Sequence, residues 1–366
     1  VALAKLGFAD VLLLDKSNYP RVKACGSGLS PLALAMLERL DLTGRFKNHA
    51  VIRALQAKGP GGTTTRIQAG GGAWVIPRSE FDHGLAQAAA EQGASFRPNT
   101  KVVGLLRDPQ GHIRGVRTSD QEIEADLVVC ADGGASRFSI DPTPRTTILT
   151  IMGWWAGTRL PSDEAVMIWD RRLDGYYAWS FPEPGGLVNI GLTIPKAAPE
   201  ARRLRGLFGE ILDEHFARDL KGAEQRGKWI GLPAVVTKRV GPIAESRALW
   251  VGEAARLVMP GTVEGIGFAL ESGIRAASFA AGHFDLGTGF SRLALEKYRR
   301  ATARAVVPKF WAGAAFVQLM RSSKALSLLR KVMTGRVQRA MGNVVAKLVG
   351  DDLGKSPGEG NIPKGD

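Results

Sequence analysis

Apolar residues along this chain fall into three patterns, and each predicts a different kind of element. Short, continuously apolar runs with polar flanks predict parallel-type strands buried on both faces: "ADVLLLD" (9–15), "ADLVVCADGG" (125–134) and the start of "RALWVGEAARLVMPGTVEGIGFALESG" (247–273). Helical stripes predict amphipathic helices over "SPLALAMLERL" (30–40), over 78–93, near 200–216, and in a long helix beginning near Glu264. Ser30 is placed as an N-cap with Pro31 at the first helical position. The opening "VALAKLG" reads as the last turns of a helix closed by Gly7, and Gly93 ends the 78–93 helix in the same way. Strands are predicted at 51–58, 63–69 and 73–77, with a hairpin around the "DPQG" turn (108–111). From 147 to 240 the pattern becomes alternating and aromatic, as in antiparallel sheet.

Charge changes the picture at one end only. The chain of 366 residues carries a formal +14, and the segment from Gly287 to Val349 holds thirteen Lys or Arg against one acid, Glu296. The remainder is close to neutral, and no nucleic-acid recognition module accompanies the basic segment. Its longest apolar run, "FWAGAAFVQLM", is far short of the ~20 residues that cross a bilayer. The two cysteines, Cys25 and Cys130, exclude a disulfide framework and point to a reducing, cytoplasmic compartment. The five histidines are scattered without ligand spacing, so no metal site is expected.

Two stretches carry candidate chemistry. Asp15 ends an apolar strand that follows a helix, the place where a dinucleotide-binding βαβ unit puts the carboxylate for the adenosine ribose. The glycine turn of such a unit stands about 20 residues earlier, before Val1. The first strand and pyrophosphate loop are therefore expected to be missing, and residues 1–366 to bind a dinucleotide weakly. "PRVKACGSGLSP" sets Cys25 among glycines with Arg21 and Lys23 close by, and basic neighbours favour a reactive thiolate. Cys130, in "LVVCA", reads instead as a small buried hydrophobe.

These stretches occur in one order with "IPRSEFD", "YYAWSFP", "CADGGASR" and "GEAARLVMPGTVEGI". In that order the chain resembles flavoproteins related to para-hydroxybenzoate hydroxylase and, more narrowly, the geranylgeranyl reductase family. The resemblance covers roughly residues 1–300. Its most specific part is the pair Cys-Gly-x-Gly-Leu-x-Pro and Tyr-x-Trp-x-Phe-Pro.

The resemblance implies an α/β fold: an FAD/NAD(P)-binding Rossmann-like domain, truncated at its N-terminus, with an α+β antiparallel-sheet substrate domain and a C-terminal helical segment. Residues 1–50, 74–141 and 240–285 would form the FAD domain, with 51–73 and 142–239 as the substrate sheet. Residues 286–350 would be the basic helical region, and 351–366 a disordered tail. FAD would be held by Asp15, Arg78, Asp132, Gly133, Gly252, Glu253, Gly265 and Ile266. Cys25 would be catalytic, and Tyr177, Trp179 and Phe181 would line the cavity for a prenylated or lipid-like substrate. Glu253 replaces the family's usual Asp, and Val263 stands where the family commonly has glycine.

The implied activity is reduction of carbon–carbon double bonds in an isoprenoid lipid or related natural product. Reduced flavin would give the hydride, and NADPH or a ferredoxin would supply electrons. A flavin monooxygenase or halogenase on the same fold is the alternative, although "GWWAG" (153–157) lacks the halogenase Trp-x-Trp-x-Ile-Pro spacing. A lipid-binding protein without catalysis is a second alternative. The basic segment, with Phe310, Trp311, Phe316, Leu319 and Met320 interspersed, is expected to lie either on anionic membrane or as a cap on the substrate domain. Nothing in the chain bears on oligomeric state.

Overall fold

The structure, a computed structural model, describes residues 1–322 except 9, 61, 63, 143 and 144. The tail at 351–366 and the basic stretch from 323 to 350 lie outside the described residues.

Six α-helices are described: α1 (Ala2–Lys5), α2 (Pro31–Arg39), α3 (Arg78–Glu91), α4 (Leu204–His215), α5 (Ile266–His283) and α6 (Arg292–Arg321). Local sequence explains their limits. The Ser30 hydroxyl accepts from the Ala33 amide and caps α2. Ser291 caps α6 in the same way, through the Ala294 amide. Gly7 and Gly93 take φ of +81° and +93°, the left-handed backbone that turns the chain out of α1 and α3.

Two short parallel pairs form the Rossmann-like part: Leu12–Leu14 beside Ser95–Arg97, and Val128–Cys130 beside Ala248–Trp250. The first apolar run is only half-buried, with Leu13 exposed, so strand 9–15 is shorter and more open than its composition predicts. The helices α2 and α5 pack together over a core that includes Leu32, Met36, Leu37, Trp250, Phe268 and Phe310.

The second sheet has nine strands among the described residues. Its order is Glu224–Ile230, Thr146–Ala156, Leu187–Pro195, Ala178–Glu183, Glu164–Ile168, Ala50–Lys58, Thr64–Val75 and Gly28–Leu29; Ala234–Val236 also pairs with Thr146–Ala156. All neighbours are antiparallel except Glu164–Ile168 with Ala50–Lys58. The strands expected at 63–69 and 73–77 are one, Thr64–Val75. Its ladder with Ala50–Lys58 continues across a register shift between Ile52 and Ala54, so the glycines between them do not end it.

One face of this sheet is covered by α4, with Ala178, Ile190, Leu192, Leu207 and Phe208 buried together. The other face carries Met152, Trp169, Tyr177 and Trp179. Because Gly28–Leu29 pairs with Thr64–Val75, the Cys25 loop leads straight into the edge of this sheet. That junction positions the site.

Candidate active site

The Cys25 loop is fixed by charge at its base. On the first turns of α3, Arg78 holds the buried Asp82 through two bonds of 2.8 and 3.0 Å. Arg21 reaches the same carboxylate at 2.9 Å and lies 3.8 Å from Asp15. Arg78 also sits at the Cys25 sulphur: burial works against its charge, but Cys25 and Asp82 outweigh that and raise its pKa. Lys23 behaves differently. Burial first, and then Arg78, lower its pKa, so its hold on a proton is weakened. Arg78 and Lys23 therefore both face Cys25, while Arg21 is engaged by Asp82. The Ser27 amide donates to Cys25 Sγ at 3.3 Å, from a buried residue with φ of +62°.

Beyond Cys25 the loop lies on the aromatic strand. A Cβ on Gly26 would stand 3.1 Å from the Phe181 ring and 3.2 Å from Trp179 Nε1, and Gly28 also faces Phe181. Glycine is needed because the backbone itself touches the rings. Trp179 in turn lies over Gly191, its partner on the next strand, where a Cβ would come within 2.3 Å of the indole. Its Nε1 donates to Asn189 Oδ1 at 2.7 Å. Tyr177 and Trp179 are 7% and 4% exposed, and the ring centroids of Tyr177–Trp179 and Trp179–Phe181 are each 6.2 Å apart. The three aromatic residues thus stand in one group, packed on one another and next to Cys25.

Three members of this group were not legible. Trp169 packs on Tyr177 at 5.8 Å and on Phe316 at 5.5 Å, and Met320 joins the same cluster. Phe316 and Met320 are spaced by four on α6, a spacing that fits a membrane-facing stripe as well as a core-facing one. Phe310 is fully buried against Phe268 at 5.3 Å. Of these α6 aromatics only Trp311 is exposed, at 53%. The apolar face of α6 is core.

A second group of candidate residues comes from the loops after the two strands of the second parallel pair. Val128–Cys130 leads to Asp132, exposed, and to Gly133 at φ +81°. Ala248–Trp250 leads to Gly252 at φ +56°, whose amide donates to Ser272 Oγ at 2.8 Å. Glu253 bends back across Gly134, where a Cβ would meet the carboxylate at 2.3 Å, and its Oε1 accepts the Val235 amide at 3.0 Å. The extra methylene relative to Asp thus commits one oxygen to the nine-stranded sheet and leaves Oε2. Arg256, also at positive φ, is buried with its Nε unpartnered, and burial lowers its pKa.

Val263 takes φ of +54°, the backbone expected of the glycine it replaces. The Tyr177 hydroxyl donates to the Thr262 carbonyl at 2.5 Å, tying the aromatic strand to this loop. Glu264 follows, hydrogen-bonded to the Ser30 hydroxyl, with its pKa pushed up to about 7 mainly by burial. Helix α5 begins at Ile266 with Gly265 as a side-chain-free N-cap.

These residues fit a dinucleotide flavin. The first amides of an uncapped 18-residue helix present partial positive charge to an anionic ring. Gly133, with nothing within 4 Å of a notional Cβ, leaves room for close approach of a phosphate. The Asp15 carboxylate accepts from the Ser17 amide and the Tyr19 hydroxyl, both at 2.8 Å, which orients it while leaving lone pairs for ribose hydroxyls. Arg78, which the resemblance puts at the FAD, is engaged by Asp82.

Comparison with known proteins agrees with this geometry. The FAD binding domain family matches residues 1–155. The menaquinone reductase of Mycolicibacterium smegmatis is 28% identical over 359 residues, spanning 88% of this chain and 85% of that protein. The digeranylgeranylglycerophospholipid reductase 2 of Methanosphaera stadtmanae is 26% identical over 293 residues, 76% and 73% of the two chains. Among solved structures, a geranylgeranyl bacteriochlorophyll reductase-like protein from Thermoplasma acidophilum superposes with a TM-score of 0.77 at 20% identity, covering 96% of this chain and 89% of that one. Residues 1–155 thus match an FAD binding domain, and over most of its length the chain is similar to reductases of the geranylgeranyl reductase-like kind. A flavin-dependent brominase shares the fold of this chain almost as well, with a TM-score of 0.75 at 19% identity over 96% and 91% of the chains. Fold therefore does not choose between reduction and oxygen chemistry, and the site must.

Proposed function

We propose that this flavoprotein reduces carbon–carbon double bonds in the isoprenoid chain of a membrane lipid, either a polyprenyl quinone or an isoprenoid glycerolipid. One observation carries the reading: the Cys25 loop is seated directly on the Tyr177–Trp179–Phe181 strand, so a thiol and an apolar aromatic wall share one place. An alkene in a long hydrocarbon chain needs both. The names of the menaquinone and digeranylgeranylglycerophospholipid reductases support the choice of lipid.

Asp15, Asp132, Gly133, Gly252, Glu253, Gly265 and Ile266 would hold the FAD. The flavin held there would supply hydride chemistry, with NADPH or a ferredoxin-type donor as the source of electrons. The chain's own residues do the rest. The Cys25 thiol holds the proton for the alkene, and Arg78 stabilises the charge on Sγ once that proton has left. Tyr177, Trp179 and Phe181 orient the chain and keep water out.

Mass spectrometry tests the reading. Flavin-reduced protein is incubated without oxygen with a menaquinone and, separately, with a digeranylgeranyl glycerophospholipid. One of them should gain two hydrogens per reduced bond. A product that gains oxygen or halogen, and only in air, would move the protein to the monooxygenase or halogenase reading.

A further inference from the structure

The Cys25 loop and the flavin-side loop meet through one side-chain pair. Ser30 closes the Cys25 loop and caps α2; Glu264 closes the 259–265 loop and leads into α5. Their hydroxyl and carboxyl are hydrogen-bonded across 234 positions of sequence. Gly267 makes room for this: a Cβ there would lie 2.7 Å from Glu264 Oε1 and 3.0 Å from Leu32. The backbone of the same loop is held by the Met259 amide on the Glu264 carbonyl and by the Val263 amide on the Met259 carbonyl, at 2.9 and 3.0 Å. We propose that Glu264 is a positioning residue whose ionisation, read through Ser30, sets how firmly the Cys25 loop is held against the flavin-side loop.

The physical reason is the strength of the pair in its two states. A hydroxyl bonded to a carboxylate is roughly twice as strong as one bonded to a neutral carboxyl. Burial pushes Glu264 up, while Ser30 and Lys309 of α6 pull it down and Glu271 on α5 pushes it up, leaving it at about 7. Tyr177, from the aromatic strand, feels both Cys25 and Glu264, which places the carboxyl and the thiol near the same phenol. Burial outweighs the stronger bond, so the closed pair favours the protonated carboxyl and its grip loosens as pH rises through about 7.

The inference rests on the reading of the Cys25 loop as the substrate side, but its test reads the loop and not turnover. The rate of Cys25 alkylation by iodoacetamide is measured against pH on the intact, flavin-loaded chain, with peptide mapping. Cys130, buried and with its thiol pushed up to about 12, stays silent. Corrected for the thiolate fraction, the parent rate should rise through a break near neutrality as the grip loosens. Glu264→Gln should abolish the break, Ser30→Ala should abolish it as well, and Glu264→Asp should keep it. Glu264→Gln is close to isosteric and retains a hydrogen bond, so it remains informative if Ser30→Ala weakens α2. A break that survives in Glu264→Gln, or a parent without one, overturns the proposal.

Discussion

Val263 holds a β-branched side chain at φ +54°, a conformation that costs of order 1–3 kcal/mol outside glycine. Its isopropyl group offsets this by packing on Ile148, Tyr176, Val236, Val258 and Val317. Val263→Ala keeps the strain and loses the packing, and should destabilise by about 1–2 kcal/mol in urea unfolding. Val263→Gly loses the same packing but releases the strain, and should stay within about 1 kcal/mol of the parent. The reverse order would show that the loop is unstrained. Cys25→Ala should leave flavin binding and flavin reduction nearly intact and sharply slow alkene reduction, measured by stopped-flow in both half-reactions. Equal turnover would return Cys25 to a packing role. Glu264 gives a pH signature: its folded pKa, about 7, lies above the unfolded carboxyl value near ~4.3. The folded chain then binds the proton more tightly, so this group's contribution is fullest below ~4.3 and is lost as pH rises through about 7. Denaturant midpoints should fall across that window in the parent and less steeply in Glu264→Gln.

At the scale of elements, α6 does two jobs with two faces. Its inner face meets the flavin-side loop so closely that a Cβ on Gly313 would stand 2.2 Å from the Pro260 carbonyl, and a Cβ on Gly261 2.9 Å from the Gly313 carbonyl. The same face delivers Phe316 and Met320 to the aromatic cluster, and Arg321 pairs with Asp174 at 2.6 Å. The outer face carries Lys297, Arg300, Arg304 and Trp311, all exposed, with Lys238 5.4 Å from the Trp311 ring centroid. No described helix is long and apolar enough to cross a membrane. We propose that the outer face makes an electrostatic contact with anionic lipid, each cation near the surface contributing about 1 kcal/mol. Co-sedimentation should show binding to anionic but not neutral vesicles and loss with salt. Reversing Lys297, Arg300 and Arg304 to Glu should weaken binding by more than tenfold in an otherwise folded protein. Binding that ignores both salt and these charges would contradict the reading.

Across the whole molecule, the sequence was clearest where a residue type has few alternatives. Ser30-Pro31 marks a helix start, Gly93 a helix end, and buried strands that empty into glycines mark the flavin side, because cap and turn geometry is local. Tyr177, Trp179 and Phe181 share one group because side-chain rows in a sheet bring such residues together. The partners of Cys25 were not legible. Arg78 comes near the thiol from α3, where it shares Asp82 with Arg21. Trp169 and Phe316 converge from distant segments for the same reason: tertiary packing, which no local pattern encodes. Glu264 stands just before α5, where acids are common, and only its bond to Ser30 and its burial set it apart. The central claim is that the flavin of this chain gives its electrons to an alkene within the Cys25–aromatic site. Re-oxidation of the reduced flavin, followed by its visible absorbance under strict anaerobiosis, tests this most directly. Adding an isoprenoid lipid should restore the oxidised spectrum in proportion to the double bonds lost, and a fully saturated analogue should not. A flavin that stays reduced with every isoprenoid lipid and is re-oxidised only by oxygen would contradict the account.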